Sequence, residues 1–250
     1  MVERARARSS VRTAVVWSVL RAQITALATA GRGPLDVLDV GGGTGGFAVP
    51  VAELGHRVTV VDPSPDALAA LERRTAEAGV TAAVRAVQGD FTDLLDRVSA
   101  DSADLVLCHG VLEQADDPVA AVGALTAVLR PRGVLSVLAA NRHAAVLSRA
   151  VAGRFAEAHR ALDDPAGRWG DADPVPRRFD LAELTELLAG GGLAVSAVHG
   201  VRVFSDLVPG ALLDGEPGAL AALLALEDAA ATRPAFCQVA AQLHLLASRP

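Results

Sequence analysis

The 250-residue chain contains no lysine and no tyrosine, two cysteines and one methionine, and only 3% of its residues are aromatic. Cys108 and Cys237 are too few for a disulfide framework or a zinc cluster, so two reduced, buried thiols and no metal are expected. A net charge of −6 argues against wholesale coating of a nucleic acid, which needs a broad cationic face, though not against a local basic patch. No apolar run reaches the roughly 18 to 20 residues that span a bilayer, and the opening "MVERARARSS" lacks the apolar stretch of a signal peptide. A cytoplasmic protein without a membrane partner is the expectation. All 23 basic residues are arginine in an alanine-rich chain, so the positions of the arginines say more than their number.

A hydrophobic fraction of 51% beside 21% charge is that of a compact globular protein. Helical spacing of Val15, Val16, Val19, Leu20, Ile24 and Leu27 predicts an amphipathic helix ending at Gly31–Pro34, with residues 1–30 as an amino-terminal helical lid. Short apolar runs then alternate with helical segments. Strands are expected at 35–40, 57–61, 82–87, 103–107 and 134–139, with helices at 46–54, 65–78, 92–98 and 117–130 between them. Near-continuous apolar strands separated by helices define a doubly wound α/β fold with a mostly parallel sheet. The rhythm breaks over residues 141–180, where a helix at 143–158 precedes the Pro-, Gly- and Asp-rich "DDPAGRWGDADPVPRRFD", a segment of binding-loop character. After a helix at 180–189, strands near 193–204 and 236–247, separated by a helix at 217–231, read as an antiparallel pair completing seven strands in a single domain over residues 1–250.

In "VLDVGGGTGGFAVP" five of the six residues Gly41–Gly46 are glycine, directly after a strand. A phosphate-binding P-loop would place Lys-Ser/Thr after the last glycine, where Phe47 and Ala48 stand. The G-x-G-x-x-G of Gly41, Gly43 and Gly46, with Asp62 some 20 residues on, formally fits a dinucleotide. Asp39 argues otherwise, because a carboxylate beside the loop repels a pyrophosphate and attracts a sulfonium or an amine. That favours S-adenosylmethionine. Asp62 can accept from ribose hydroxyls or cap the next helix; Asp90 in "QGDF" can accept from an adenine amine or cap in its turn, with Phe91 to pack on the ring.

With these motifs the sequence resembles class I, Rossmann-like S-adenosylmethionine-dependent methyltransferases over its whole length. "LDVGGGTGG", "CHGVLEQADDP", "LRPRGVLSVLAANRHAAVLSRAVAGRF", "GVRVFSD" and "LLALEDAAATRPAFCQVAAQLHLLA" are similar to the bacterial tRNA 5-carboxymethoxyuridine methyltransferase family, which esterifies the carboxylate of a modified wobble uridine. The resemblance implies that Arg12 reaches the cofactor carboxylate and that Gly41 and Gly42 line its methionine part. It further implies that Asp62 holds the ribose, Gly89 and Asp90 flank the adenine, and His109 lies near the transfer site. Gly43 and Gly45 complete the loop, and Asp39 and Phe91 join the cofactor set on the grounds given above. Asn141, His143, Arg177, Arg202 and Asp206 match positions that would face the acceptor, with the 141–180 insertion recognising substrate and the anticodon region of tRNA as a possible partner.

Methyl transfer is an in-line displacement, so the protein's task is alignment. A carboxylate, ionised at neutral pH, needs no base, and arginines gripping one oxygen would suffice. A hydroxyl acceptor would call for one, with His109 and His143 as candidates and Arg202 the remaining candidate at the reacting group. Stacking on an acceptor base would fall to Phe155, Trp169 or Phe179. Arginine clusters at Arg4, Arg6, Arg8 and Arg12 and at Arg142, Arg149 and Arg154 are the local support for RNA. Two alternatives stay open: a small carboxylated or hydroxylated metabolite as acceptor, and a nicotinamide-dependent or non-catalytic nucleotide-binding module.

Overall fold

The computed structural model describes residues 2–215 and 217–250, without the side chains of residues 2–12, 32, 210, 214 and 215. In chain order the elements are α1 (Val2–Leu27), β1 (Asp36–Val40), α2 (Ala48–Glu53), β2 (Arg57–Asp62), α3 (Pro65–Glu77), β3 (Val84–Gln88), α4 (Leu94–Arg97), β4 (Ala103–His109) and α5 (Pro118–Val128). There follow β5 (Leu129–Ala140), α6 (Arg142–Val151), α7 (Phe155–Asp163), α8 (Leu181–Gly190), β6 (Ala194–Val201), α9 (Gly210–Gly215), α10 (Ala219–Ala231), α11 (Pro234–Cys237) and β7 (Gln242–Ser248).

The seven strands form one sheet in the order β3-β2-β1-β4-β5-β7-β6. The first four are parallel, with Asp39 opposite Val60 on β2 and Leu107 on β4. β7 runs antiparallel to its neighbours. Arg132 N–H donates to Arg249 O (2.9 Å) and Asn141 N–H to Ala241 O (3.1 Å), while Ala241 N–H donates to Arg202 O (3.2 Å). Strands buried on both faces account for the unbroken apolar runs: Leu105, Val106, Leu107 and Cys108 on β4 are all fully buried. Helices start where side chains supply caps. Ser64 Oγ accepts from Ala67 N–H with Pro65 at the first turn of α3, and Asp117 accepts from Val119 and Ala120 with Pro118 opening α5.

By contact density the chain divides into two compact units. One comprises Ala22–Val137, Thr185–Ser196 and Leu245–Pro250, and it holds β1 to β4. At the amino ends of its strands, Arg130 donates to Asp104 (2.6 Å) and Asp36 (2.8 Å), and Arg57 donates to the other oxygen of Asp36 (2.7 Å). The Arg57 bond, foremost, holds the Asp36 carboxyl below its ordinary range against the opposing pull of burial, with Arg130 adding to it. The other unit comprises Leu138–Leu184 and Ala197–His244 with the first part of α1. Its 164–180 loop is ordered by Arg178, which grips both oxygens of the buried Asp173 (2.6 and 2.9 Å) and the Gly167 carbonyl (2.9 Å).

Four local expectations are corrected. The helix expected over 143–158 is two, because Gly153 at φ +72° closes α6 before α7 begins. The helix at 217–231 begins only at Ala219, behind a Pro217–Gly218 turn, and the strand at 236–247 begins at Gln242, after the short α11. Thr13–Gly31 is long and apolar enough to cross a membrane by composition, which the count of unbroken apolar residues had missed. Within it Val15, Val16, Leu20, Ile24 and Leu27 are buried at helical spacing, the pattern of a helix packed along one face.

Candidate functional site

The carboxyl ends of β1, β2 and β3 converge on a cleft of about 410 Å³, within the range of about 300 to 1,000 Å³ usual for small-molecule sites. Gly41, Asp62, Gly89, Asp90 and Phe91 line it, as expected, together with Val111, Gln114 and Thr92, which the sequence reading did not single out. Val111 and Gln114 belong to "GVLEQ" just after β4, and the signal that could have found them is the same strand-end position that pointed to His109.

The glycine loop is shaped by close approach. A Cβ on Gly41, at φ +69°, would come within 2.2 Å of Val111 Cγ1; one on Gly42 would meet the Asp39 carboxyl at 2.6 Å; one on Gly45, at φ +79°, would meet Leu71 Cδ1 at 2.3 Å. Gly46 faces open space with no left-handed φ, so the third glycine of the formal dinucleotide pattern is not demanded by the fold. Gly43 N–H donates to Asp62 Oδ2 (2.9 Å) and Ser64 N–H to Asp62 Oδ1 (2.9 Å). Ser64, not Asp62, caps α3, and Asp62 lines the cleft with acceptor capacity left on each oxygen. Asp90 spends Oδ1 on the Thr92 amide (2.7 Å) and hydroxyl (2.6 Å), which leaves Oδ2 for a ligand amine.

Asp39 is 2% exposed and its Oδ2 has no hydrogen-bond partner among the described residues. Burial foremost, and then the charge of Asp62, raise its carboxyl from 3.8 to about 7. An unpartnered buried carboxylate beneath a glycine loop fits a cofactor that brings positive charge. Between pH about 4 and about 7 the folded protein holds a proton that the unfolded chain has lost, so stability falls as pH rises through that window. Asp39→Asn is expected to flatten that fall. Thermal melts of the cofactor-free protein at pH 5 and pH 8 check it: the wild-type midpoint drops between them by several degrees more than that of the variant.

His109, at the end of β4, packs edge-on to Phe47 with ring centroids 4.7 Å apart and places Nε2 2.8 Å from Ser136 Oγ. Burial lowers its pKa to about 3. A neutral ring of such low basicity takes a proton poorly at pH 7, which weighs against a general-base role.

In the second unit the acceptor candidates have separate fates. Asn141 is 1% exposed; its amide donates to the carbonyls of Cys237, Gln238 and Ala240, and its Oδ1 caps α6 at His143 N–H. It fastens the segment after α11 to the end of β5, and so does not face an acceptor. His143 donates Nδ1–H to Gln238 O (3.1 Å). Arg177 is half-buried with no ion pair among the described residues, in contrast to Arg178 beside it. Arg202 donates Nε–H to Asp206 Oδ2 (3.0 Å), one Nη2–H to the same oxygen and one Nη1–H to Gln242 Oε1 (3.4 Å). Of the stacking candidates, Phe179 is buried, one face of Trp169 is covered by the Arg149 guanidinium at 3.9 Å, and Phe155 is 71% exposed. Arg12 lies on α1, but its side chain, like those of Arg4, Arg6 and Arg8, falls outside the described residues.

A doubly wound sheet with a close-packed glycine loop after β1, an acidic residue ending β2 and an Asp-Phe pair after β3 is the architecture of an S-adenosylmethionine-dependent methyltransferase. Residues 38–137 match a methyltransferase-domain family. The crystal structure of an S-adenosylmethionine-dependent methyltransferase from Mesorhizobium loti superposes with a TM-score of 0.61 at 19% identity, over 94% of this chain and 98% of that one. The tRNA 5-carboxymethoxyuridine methyltransferase of Escherichia coli K12 is 30% identical over 97% of this chain and 90% of its own. This chain belongs to the same family as that enzyme. A ubiquinone biosynthesis O-methyltransferase from Xanthomonas axonopodis is 36% identical, but over 66% of this chain and 65% of its own. The cofactor is S-adenosylmethionine, and Gly41, Asp62, Gly89, Asp90 and Phe91 line the cleft at the strand ends.

Proposed function

We propose that this chain methylates the carboxylate of a modified wobble uridine in tRNA, acting in the cytoplasm as a single catalytic domain whose 141–180 insertion and "GVRVFSD" segment meet the acceptor. The observation that carries the reading is Arg202. Among the described residues, three of its five N–H groups are engaged by Asp206 and Gln242, leaving one on each terminal nitrogen, the pair that grips a carboxylate in a fork. Asp206 holds the guanidinium side-on and so orients it. The cofactor supplies an electrophilic methyl group and its own leaving group. No base is needed for an acceptor ionised at neutral pH. Likeness to the Escherichia coli enzyme runs through the segment that carries Arg202 and Asp206.

The test is transfer of labelled methyl from S-adenosylmethionine to bulk tRNA, followed by mild alkali. Label released as volatile methanol marks a methyl ester; tRNA left unlabelled by a protein that binds the cofactor removes the tRNA reading. Phe155→Ala is expected to weaken tRNA binding about tenfold by removing one stacking surface, measured by filter binding, with affinity for S-adenosylhomocysteine unchanged. A small carboxylated metabolite as acceptor would use the same Arg202 fork and is favoured by the net charge of −6. It predicts labelled small acids in place of labelled tRNA.

A further inference from the structure

We propose that Glu227 is a positioning residue for acceptor binding, holding Arg202 and Asp206 in place through the backbone between them; the inference rests on the acceptor role of Arg202. Glu227 lies on α10, is 2% exposed and has no place in the cofactor cleft. Its Oε2 accepts from Val203 N–H (2.8 Å), and its Oε1 accepts from Phe204 N–H (3.0 Å) and Ser205 N–H (2.7 Å). These are the three residues that separate Arg202 from Asp206.

The backbone conformation explains why a carboxylate is required. Arg202 adopts φ +58°, a left-handed conformation that costs a residue with a Cβ. Successive amides that follow such a residue turn inward and form a concavity for an anion. Here the chain fills it with its own carboxylate, whose two oxygens satisfy all three donors. A glutamine at 227 would offer one acceptor oxygen and turn an NH2 toward an amide, leaving a buried N–H without a partner. Apolar packing cannot substitute for this. Val203 sits in a small cluster with Ala230 and Ala240, and Phe204 meets Phe236 edge-on at 5.5 Å, but those contacts hold side chains and leave the amides to Glu227. A rotation anywhere in 203–205 changes the separation of Arg202 and Asp206, and with it the direction of the free N–H pair.

The experiment compares the wild type, Glu227→Gln, Arg202→Ala and the double variant, with bulk tRNA as acceptor. Glu227→Gln is expected to raise the KM for tRNA about tenfold, the effect of losing one well-made charge-assisted hydrogen bond. Its kcat and its affinity for S-adenosylhomocysteine are expected to stay near wild type, and Glu227→Asp, which keeps the charge on a shorter arm, to recover part of the loss. In the double variant KM is expected to be no higher than in Arg202→Ala alone. An unchanged KM in Glu227→Gln overturns the proposal, as does a full added penalty in the double variant. Failure of both Glu227→Gln and Glu227→Asp to fold overturns it in favour of a purely structural role. If Arg202→Ala itself leaves KM unchanged, the acceptor reading has failed; if Arg202→Ala raises KM and Glu227→Gln does not, only the positioning role has.

Discussion

Gly42→Ala is expected to lower affinity for S-adenosylhomocysteine by at least about a hundredfold, while Gly46→Ala leaves it within about twofold, a contrast that follows from overpacking at one position and open space at the other. The added methyl on Gly42 would lie 2.6 Å from the Asp39 carboxyl and 2.9 Å from Val60 Cγ1. Neither neighbour can yield, because Val60 is fully buried between paired strands and Asp39 is buried at the end of β1. The loop must therefore lift, and it carries with it Gly41, which lines the cleft, and the Gly43 amide, which fixes Asp62. At Gly46 the methyl meets nothing within 4 Å and the backbone is one any residue adopts. Isothermal titration with S-adenosylhomocysteine reads both variants. Equal losses would mean that the run of glycines is needed for flexibility, and the steric account would be wrong.

Arg202→Ala is expected to raise the KM for the acceptor about ten- to a hundredfold, since charge-assisted hydrogen bonds are worth about 1.5 to 3 kcal/mol and each 1.4 kcal/mol is a factor of ten. Both residues carry a Cβ, so the substitution does not add to the left-handed strain at this position. Arg202→Lys should fall between, because an ammonium keeps the charge but not the planar pair of donors. Steady-state kinetics with tRNA varied at saturating S-adenosylmethionine separates KM from kcat. A loss confined to kcat would place Arg202 at the transition state and not at acceptor binding.

Much of the fold was readable because burial on both faces writes itself into composition. Runs such as "VLDV" and "DLVLC" could be little else than inner parallel strands. The cofactor cleft was readable for a related reason: it is built at strand ends, where Asp39, Asp62 and Asp90 each interrupt or close an apolar run. What could not be read lies in contacts between residues distant along the chain. Asn141 looked like an acceptor ligand and proves to hold carbonyls nearly a hundred residues away. Glu227 sits in an alanine- and leucine-rich helix, where an isolated glutamate reads as solvated, and its partners lie 22 to 24 residues back. Arg177 and Arg178 are indistinguishable by type, and only the fold turns one inward onto Asp173. The helix break at Gly153 was missed because the alanine-containing flanks on both sides sustain the helical pattern across it.

The lacing of Arg130 to Asp36 and Asp104 bears on motion as well as on stability. It ties β1, β4 and β5 where they begin, at the opposite ends of the strands from the cleft. The loops that follow β1, β3 and β4 can then adjust around a ligand without loosening the strands that carry them. In native-state hydrogen exchange the amides of Val37 and Leu105 should report only global unfolding, whereas those of Gly89 to Phe91 should exchange through local openings that leave the sheet intact.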